Sequence, residues 1–344
     1  MIFDPNRQPD FTQLERVLRK EAPDRPVLLE LFLNDRLYRT LPKKLHTGGT
    51  WLDHCYNMTA AYCEGGYDYM SMHINGFRYK TAPRAEHAGA NTISLNEAAA
   101  IIDRATFDAY PWEDPADYGV DVVEAIGRDL PSGMKMILLG PGGILENVIA
   151  LTGYDNLCML LYDDPALVSD IFECVGTRML AYYRLAVDRD FVGAVFSNDD
   201  WGFNTQTMLS PADMRKYVFP WHKQIVELAH TYEKYVLLHS CGNYADVIED
   251  VIGMGYDARH SYEDNIQPVE EAYEQLCGRI AVLGGIDIDF MVRSDEDAIY
   301  RRCRAMLQRS QSRGGYALGT GNSVPEYIPD SHYYAMVKAA IDPM

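Results

Sequence analysis

Positive charge is scarce in this chain. Its 31 Lys and Arg face 50 Asp and Glu, leaving a net charge of −19 over 344 residues. Such a balance excludes partners that depend on neutralised phosphates, so nucleic acid and anionic membrane surfaces are not expected. A highly anionic substrate fits poorly too, unless arginines gather locally. Cysteine is also sparse. The seven residues at 55, 63, 158, 174, 241, 277 and 303 are odd in number and form no paired framework, which points to reduced thiols in a cytoplasm. No apolar run reaches the length of a membrane span, and the opening stretch MIFDPNRQPDF has no basic segment followed by an apolar one, so a soluble cytoplasmic protein is expected. Repeats, low-complexity tracts and long linkers are absent. The Gly-x-Gly-x-x-Gly turn that would follow the first strand of a dinucleotide-binding sheet is missing as well.

What is present is an alternation of apolar runs and helical patterns. Strand-like runs fall at 25–32, 67–74, 134–139, 192–197, 234–239, 256–260, 280–284 and 315–318. Helical patterns are clearest at 165–187, 211–230, 245–253, 295–308 and 331–341, with Pro165 and Pro211 behind the capping candidates Asp164 and Ser210. Eight βα units imply parallel strands with helical crossovers, whose closed form is the (β/α)8 TIM barrel. Residues 1–24 read as an N-terminal helical extension, 25–344 as the single barrel domain, and 81–130, rich in Ala, Asp and Pro, as an insertion capping one end.

In such a barrel, chemistry collects after the C-terminal ends of the strands. Read in order, those positions carry Glu30 and Asn34, His73 and Asn75, Gly140-Pro-Gly-Gly143, Asn198-Asp-Asp-Trp201, His239 and Cys241, His260 with Glu263 and Asp264, Gly284-Gly-Ile-Asp287, and Gly319-Thr-Gly-Asn-Ser323. The centre of interest is Lys234-Tyr-Val-Leu-Leu-His-Ser-Cys-Gly-Asn243. Alternate strand side chains share a face, so His239 and Cys241 point the same way. Imidazole and thiolate are donors that zinc takes at about 2.0 to 2.3 Å, and Gly242 lets the chain turn away at once. A buried thiol beside a satisfied core imidazole is the structural alternative.

These stretches also carry a resemblance. Leu139-Gly-Pro-Gly-Gly with Tyr162-Asp-Asp-Pro165, Asn198-Asp-Asp-Trp-Gly with Leu209-Ser-Pro211 and Phe219-Pro220, His239-Ser-Cys-Gly242, and Leu283-Gly-Gly-Ile-Asp287 together resemble the uroporphyrinogen decarboxylase superfamily. Within it they are similar to the branch of zinc-dependent corrinoid methyltransferases, of the coenzyme M methyltransferase and O-demethylase type. In that branch zinc is held by a His-x-Cys motif and a second cysteine after the last strand. His239 and Cys241 match the first part. Asn322 stands in the second cysteine's place, so Glu263 or His260 would have to complete the site. The decarboxylase itself reads its many carboxylates with an arginine-rich N-terminal segment. Here the equivalent stretch is Leu29-Glu-Leu-Phe-Leu-Asn-Asp-Arg36, with glutamate and asparagine where arginines are wanted.

The resemblance thus implies a methyltransferase moving a methyl group between a small ether, amine or thiol and a corrinoid protein. A metal, expected to be zinc, acts as Lewis acid on His239, Cys241 and Glu263. Asp199, Asp200 and His260 are the expected catalytic groups, while Glu30, His73, Asn198 and Asn322 are expected to bind substrate. No corrinoid-binding Asp-x-His-x-x-Gly pattern occurs in this stretch, so cobalamin would arrive on a partner protein. Two other readings stay open: a metal-free decarboxylase or lyase using the same acids and histidines, and a barrel that only binds a ligand.

Overall fold

The computed structural model describes residues 6–83 and 95–343. Seven strands form one parallel sheet in strict sequence order: β1 (Tyr69–His73), β2 (Lys135–Leu139), β3 (Val192–Asn198), β4 (Tyr235–His239), β5 (Ala258–His260), β6 (Ala281–Leu283) and β7 (Tyr316–Ala317). Every one lies within an apolar run expected from the sequence, β3 extending one residue beyond its run. Val, Ile, Leu and Met dominate β2, β4 and β6 because both faces of a parallel sheet are covered. Helices follow the strands, among them Pro165–Arg184, capped by Asp164 with proline in its first turn, Glu296–Ser310, and Asp330–Ile341.

The first apolar run, 25–32, departs from expectation. It is not a ladder strand of the sheet, which among the described residues has seven strands and not eight. Leu28 makes a single parallel bridge to Leu318, through bonds from the Leu29 amide to the Leu318 carbonyl and from the Leu318 amide to the Val27 carbonyl, each 2.8 Å. On the β1 side its backbone groups are taken by side chains. The Tyr69 hydroxyl meets the Glu30 amide at 2.7 Å, and the Ser71 hydroxyl donates to the Leu31 carbonyl at 2.6 Å. Hydroxyls from β1 therefore replace the backbone ladder on that side, and the run still lies between the two edge strands.

The helix Phe11–Leu18 falls within residues 1–24 and is capped by Asp10. Within 81–130, residues 84–94 lie outside the described part. The rest contains the helices Arg104–Ala109 and Asp121–Arg128. Ile101, Val123 and Ile126 are buried in the same core as the sheet. Sequence periodicity missed Trp51–Glu64, although Thr50 and Asp53 form a capping box at its start. Among the described residues no single helix is long and apolar enough to cross a membrane.

Candidate metal centre at the strand ends

Strand register builds the site. Asn198 of β3 pairs with His239 of β4, and His239 with His260 of β5, so the three stand in a row across the sheet. Two residues on, alternation brings Asp200 and Cys241 to the same side. Their ligand atoms meet: a carboxylate oxygen of Asp200, an imidazole nitrogen of His239 and Sγ of Cys241 all lie within 4.8 Å of one another. His239 Nε2 is 3.8 Å from Cys241 Sγ and 4.0 Å from Asp200 Oδ1. The Cys241 amide donates to Asp200 Oδ1 at 2.8 Å, tying the β3 and β4 ends together. Gly242 then turns away at φ +97°, and a Cβ there would sit 2.2 Å from the Gly202 carbonyl oxygen, so glycine is required.

The hydrogen-bond pattern fixes the tautomer of His239. His260 Nε2 is 3.2 Å from the Thr320 carbonyl, which can only accept, so that nitrogen carries the hydrogen. A neutral His260 then offers Nδ1 as an acceptor, and His239 Nδ1 lies 2.8 Å from it. His239 must therefore donate from Nδ1. Its Nε2 is left as a bare lone pair facing Cys241 and Asp200, the form a metal binds. Both rings stay neutral. Burial, with help from the Arg259 charge, brings the His239 pKa down to about 4, and burial and the His239 ring hold His260 well below its usual range. Gly284 makes room for this stack, since a Cβ at φ +67° would lie 2.3 Å from the Thr320 oxygen and 2.8 Å from the His260 ring.

Cys241 has two further neighbours, the Ser261 hydroxyl at 3.7 Å and the Asn322 amide nitrogen, which points at Sγ from 3.3 Å. Burial, and next the Asp200 carboxylate, push its thiol far above the usual range.

The remaining expected residues sort into distinct places. Asp199 is fully buried. It accepts the Leu145 and Glu146 amides, both at 2.9 Å, at the start of helix Ile144–Thr152, and faces His222 Nε2 at 2.8 Å. Its carboxylate thus serves a helix N-terminus, not the cavity. His260 is buried too and acts on His239, not on solvent. Glu30 is fully buried, with its oxygens held by the Thr320 amide at 2.7 Å and hydroxyl at 2.6 Å. Burial lifts its pKa to about 8. Asn34 caps the helix Asp35–Thr40. The His73 Nδ1 and Asn198 Oδ1 atoms are buried without a hydrogen-bond partner, and burial lowers the His73 pKa to about 4. Glu263 does not join the ligand group, whose carboxylate is Asp200. It lies past the end of β5, where with Asp287 and Asn322 it lines a cavity of about 1130 Å³. Sequence reading missed Glu146, raised to about 8 by burial and by the neighbouring Asp199 and Asp200 charges. Its signal was present, because Glu146 stands three residues past Gly143 as the acidic half of a capping box.

The profile of the uroporphyrinogen decarboxylase (URO-D) family matches residues 101–342. The chain belongs to this family. Among characterised relatives, the uroporphyrinogen decarboxylase of Geobacter sp. (strain M21) is 22% identical over 234 residues, 65% of either chain. That of Hordeum vulgare is 24% identical over 189 residues, 54% of either chain. The chain thus matches just under two thirds of the bacterial enzyme's length and about half of the plant enzyme's. In three dimensions it is similar to a methyltransferase from Methanosarcina mazei, with a TM-score of 0.69 at 15% identity, covering 96% of this chain and 97% of that one. At that identity the likeness speaks for the fold.

The donor set suits a divalent transition metal. One neutral imidazole nitrogen, one thiol and one carboxylate oxygen converge, and the imidazole's other nitrogen is held by a hydrogen-bonded partner, as is usual for histidine ligands. Three protein donors also leave a position for substrate or water, the pattern of catalytic sites.

Proposed function

We propose that this protein is a metal-assisted methyltransferase, moving a methyl group between a small ether, amine or thiol and a corrinoid carried by a partner protein. The observation that carries the reading is the lone pair of His239 Nε2, exposed to Cys241 and Asp200 by the hydrogen-bond chain through His260 and Thr320. Family membership and the methyltransferase-like fold support it. Zinc held by Asp200, His239 and Cys241 would supply Lewis acidity, polarising a methyl-bearing oxygen or nitrogen, or lowering the pKa of a substrate thiol. The chain's own residues do the rest. His260 keeps Nε2 of His239 free for the metal. Asn322 turns its amide N–H toward sulfur, in the place where the methyltransferase branch has a second thiolate ligand. Asp200, its side chain 38% exposed, is the ligand nearest solvent and so the one beside which substrate enters. The acidic wall of Glu263 and Asp287 favours a neutral or cationic substrate over an anionic one.

We infer further that the run at 27–31, bonded to Leu318 just past β7 and to the side chains of β1, closes the sheet into an eight-stranded barrel. The described part of 81–130 around Pro115 and Tyr118 then covers its mouth: Asn75, just past β1, donates to the carbonyls of Pro115 and Tyr118. The acidic balance and free cysteines fit a cytoplasmic enzyme.

The test uses zinc-loaded protein with cob(I)alamin and a panel of methyl ethers and methylamines, and with methylcobalamin and thiols, followed by the corrinoid absorbance. Methyl transfer in one arm, lost in Cys241→Ser, is the expected result. Transfer undiminished in Cys241→Ser would contradict the assigned role of the site.

A further inference from the structure

Behind the metal ligands lies a second cavity. It is about 290 Å³ in volume and opens between the loop Gly242–Ala245, the end of β5 and the helix Val269–Leu276. Arg259 reaches into it from β5. Strand alternation turns this side chain to the face opposite His260, away from the histidine pair. Only 7% of Arg259 is exposed. The guanidinium is clamped between two rings, 3.9 Å from the centroid of Tyr244 and 4.2 Å from that of Tyr262. One terminal nitrogen donates to the Ser261 carbonyl at 3.0 Å, and Nε is buried without a partner. Among the described residues no carboxylate lies within salt-bridge distance of Arg259, whereas the partly buried Arg302 is forked onto both Asp264 and Glu270.

A buried guanidinium without a counter-ion is an unbalanced charge. The aromatic faces and the Tyr262 side chain recover part of its lost hydration, but neither brings a negative charge to the in-plane N–H groups. Arginine presents those donors as a planar fork that matches two oxygens on one centre. We propose that this cavity is a binding site for a small carboxylate monoanion, which pairs with Arg259 between Tyr244 and Tyr262. Glu263 and Glu271 also line this cavity; their charges repel a phosphate dianion more than a monoanion, so of the anions Arg259 could pair a monoanion meets the least repulsion. Gly242 and Ser261 form the wall toward Cys241, so the site is separate from the metal centre, and the proposal does not rest on the methyltransferase reading.

The probe is acetate, with acetamide as neutral isostere at matched ionic strength, read by ligand-observed NMR and by thermal shift on the full chain. Acetate is expected to bind and to raise the melting temperature, and acetamide to do neither. In Arg259→Gln acetate binding should weaken at least tenfold. Should that variant fail to fold, Gln267→Glu, which places a negative charge on the cavity wall, should abolish acetate binding just as well. In chelator-treated Cys241→Ser protein binding should persist. If acetate binding disappears in that protein but survives in Arg259→Gln, the anion sits at the metal centre and the proposal fails. Equal response to acetate and acetamide, or none to either, overturns it too.

Discussion

Nδ1 of His239 and Nδ1 of His260 lie 2.8 Å apart, and the proton between them belongs to His239. The assignment follows from one carbonyl, that of Thr320, which occupies the far nitrogen of His260. Thr320 in turn is clasped by Glu30 through both its amide and its hydroxyl. A continuous chain of hydrogen bonds therefore runs from a buried carboxyl beside the edge strand to the nitrogen that would meet a metal.

If His260 sets that tautomer, removing its acceptor should free His239 to rotate or to protonate at Nε2. His260→Phe keeps a ring of similar size in the core but cannot accept. Zinc affinity, measured by competition with a chromogenic chelator, is expected to fall about tenfold to a hundredfold, the usual cost of losing a hydrogen-bonding partner behind a metal ligand. Unchanged affinity in a folded variant would mean that His239 orientation does not depend on this contact.

Asn322 offers the opposite experiment. Its amide nitrogen is 3.3 Å from Cys241 Sγ, close enough that a thiol in its place could share the metal. Asn322→Cys should tighten zinc binding by about tenfold or more, because thiolate is a better donor to zinc than an amide. If affinity stays the same, position 322 does not reach the coordination sphere.

Glu30 makes a stability prediction with a definite sign. Its carboxyl titrates at about 8 in the fold against 4.5 when a glutamate is free in solution. Between those values the folded state holds a proton that the unfolded state has lost. Stability from this group is therefore full below pH 4.5 and declines as pH rises toward 8. Glu30→Gln is isosteric, can accept the Thr320 amide hydrogen and never ionises. Against wild type it should be close to neutral near pH 5 and stabilising at about pH 8 to 9, by a few kcal/mol at most. Denaturant midpoints at the two pH values decide this, and a variant equally destabilised at both would show that the carboxyl is ionised in the fold.

Much of this was legible in the sequence because buried parallel strands leave unmistakable apolar runs, and β1 to β7 all coincide with such runs. The missing ladder at 25–32 was not legible because apolar content records burial, not pairing, and the hydroxyls of Tyr69 and Ser71 took the places of ladder partners. His239 and Cys241 were visible from strand alternation alone. Choosing Asp200 over Asp199 or Glu263 was harder, since it needs the register of β3 on β4: only with Asn198 opposite His239 does the residue two further on land beside Cys241. Arg259 was silent in the sequence, because nothing local distinguishes an arginine without a counter-ion from one that has found its acid.

Whether Asp200, His239 and Cys241 hold a metal is decided by elemental analysis and zinc-edge X-ray absorption on protein purified without chelator. About one zinc per chain is expected, with a single sulfur among nitrogen and oxygen donors, lost in Cys241→Ser while the fold survives. Well under one equivalent of zinc, or a full equivalent unchanged by Cys241→Ser, would contradict the account and leave these three residues as packing and hydrogen-bonding partners.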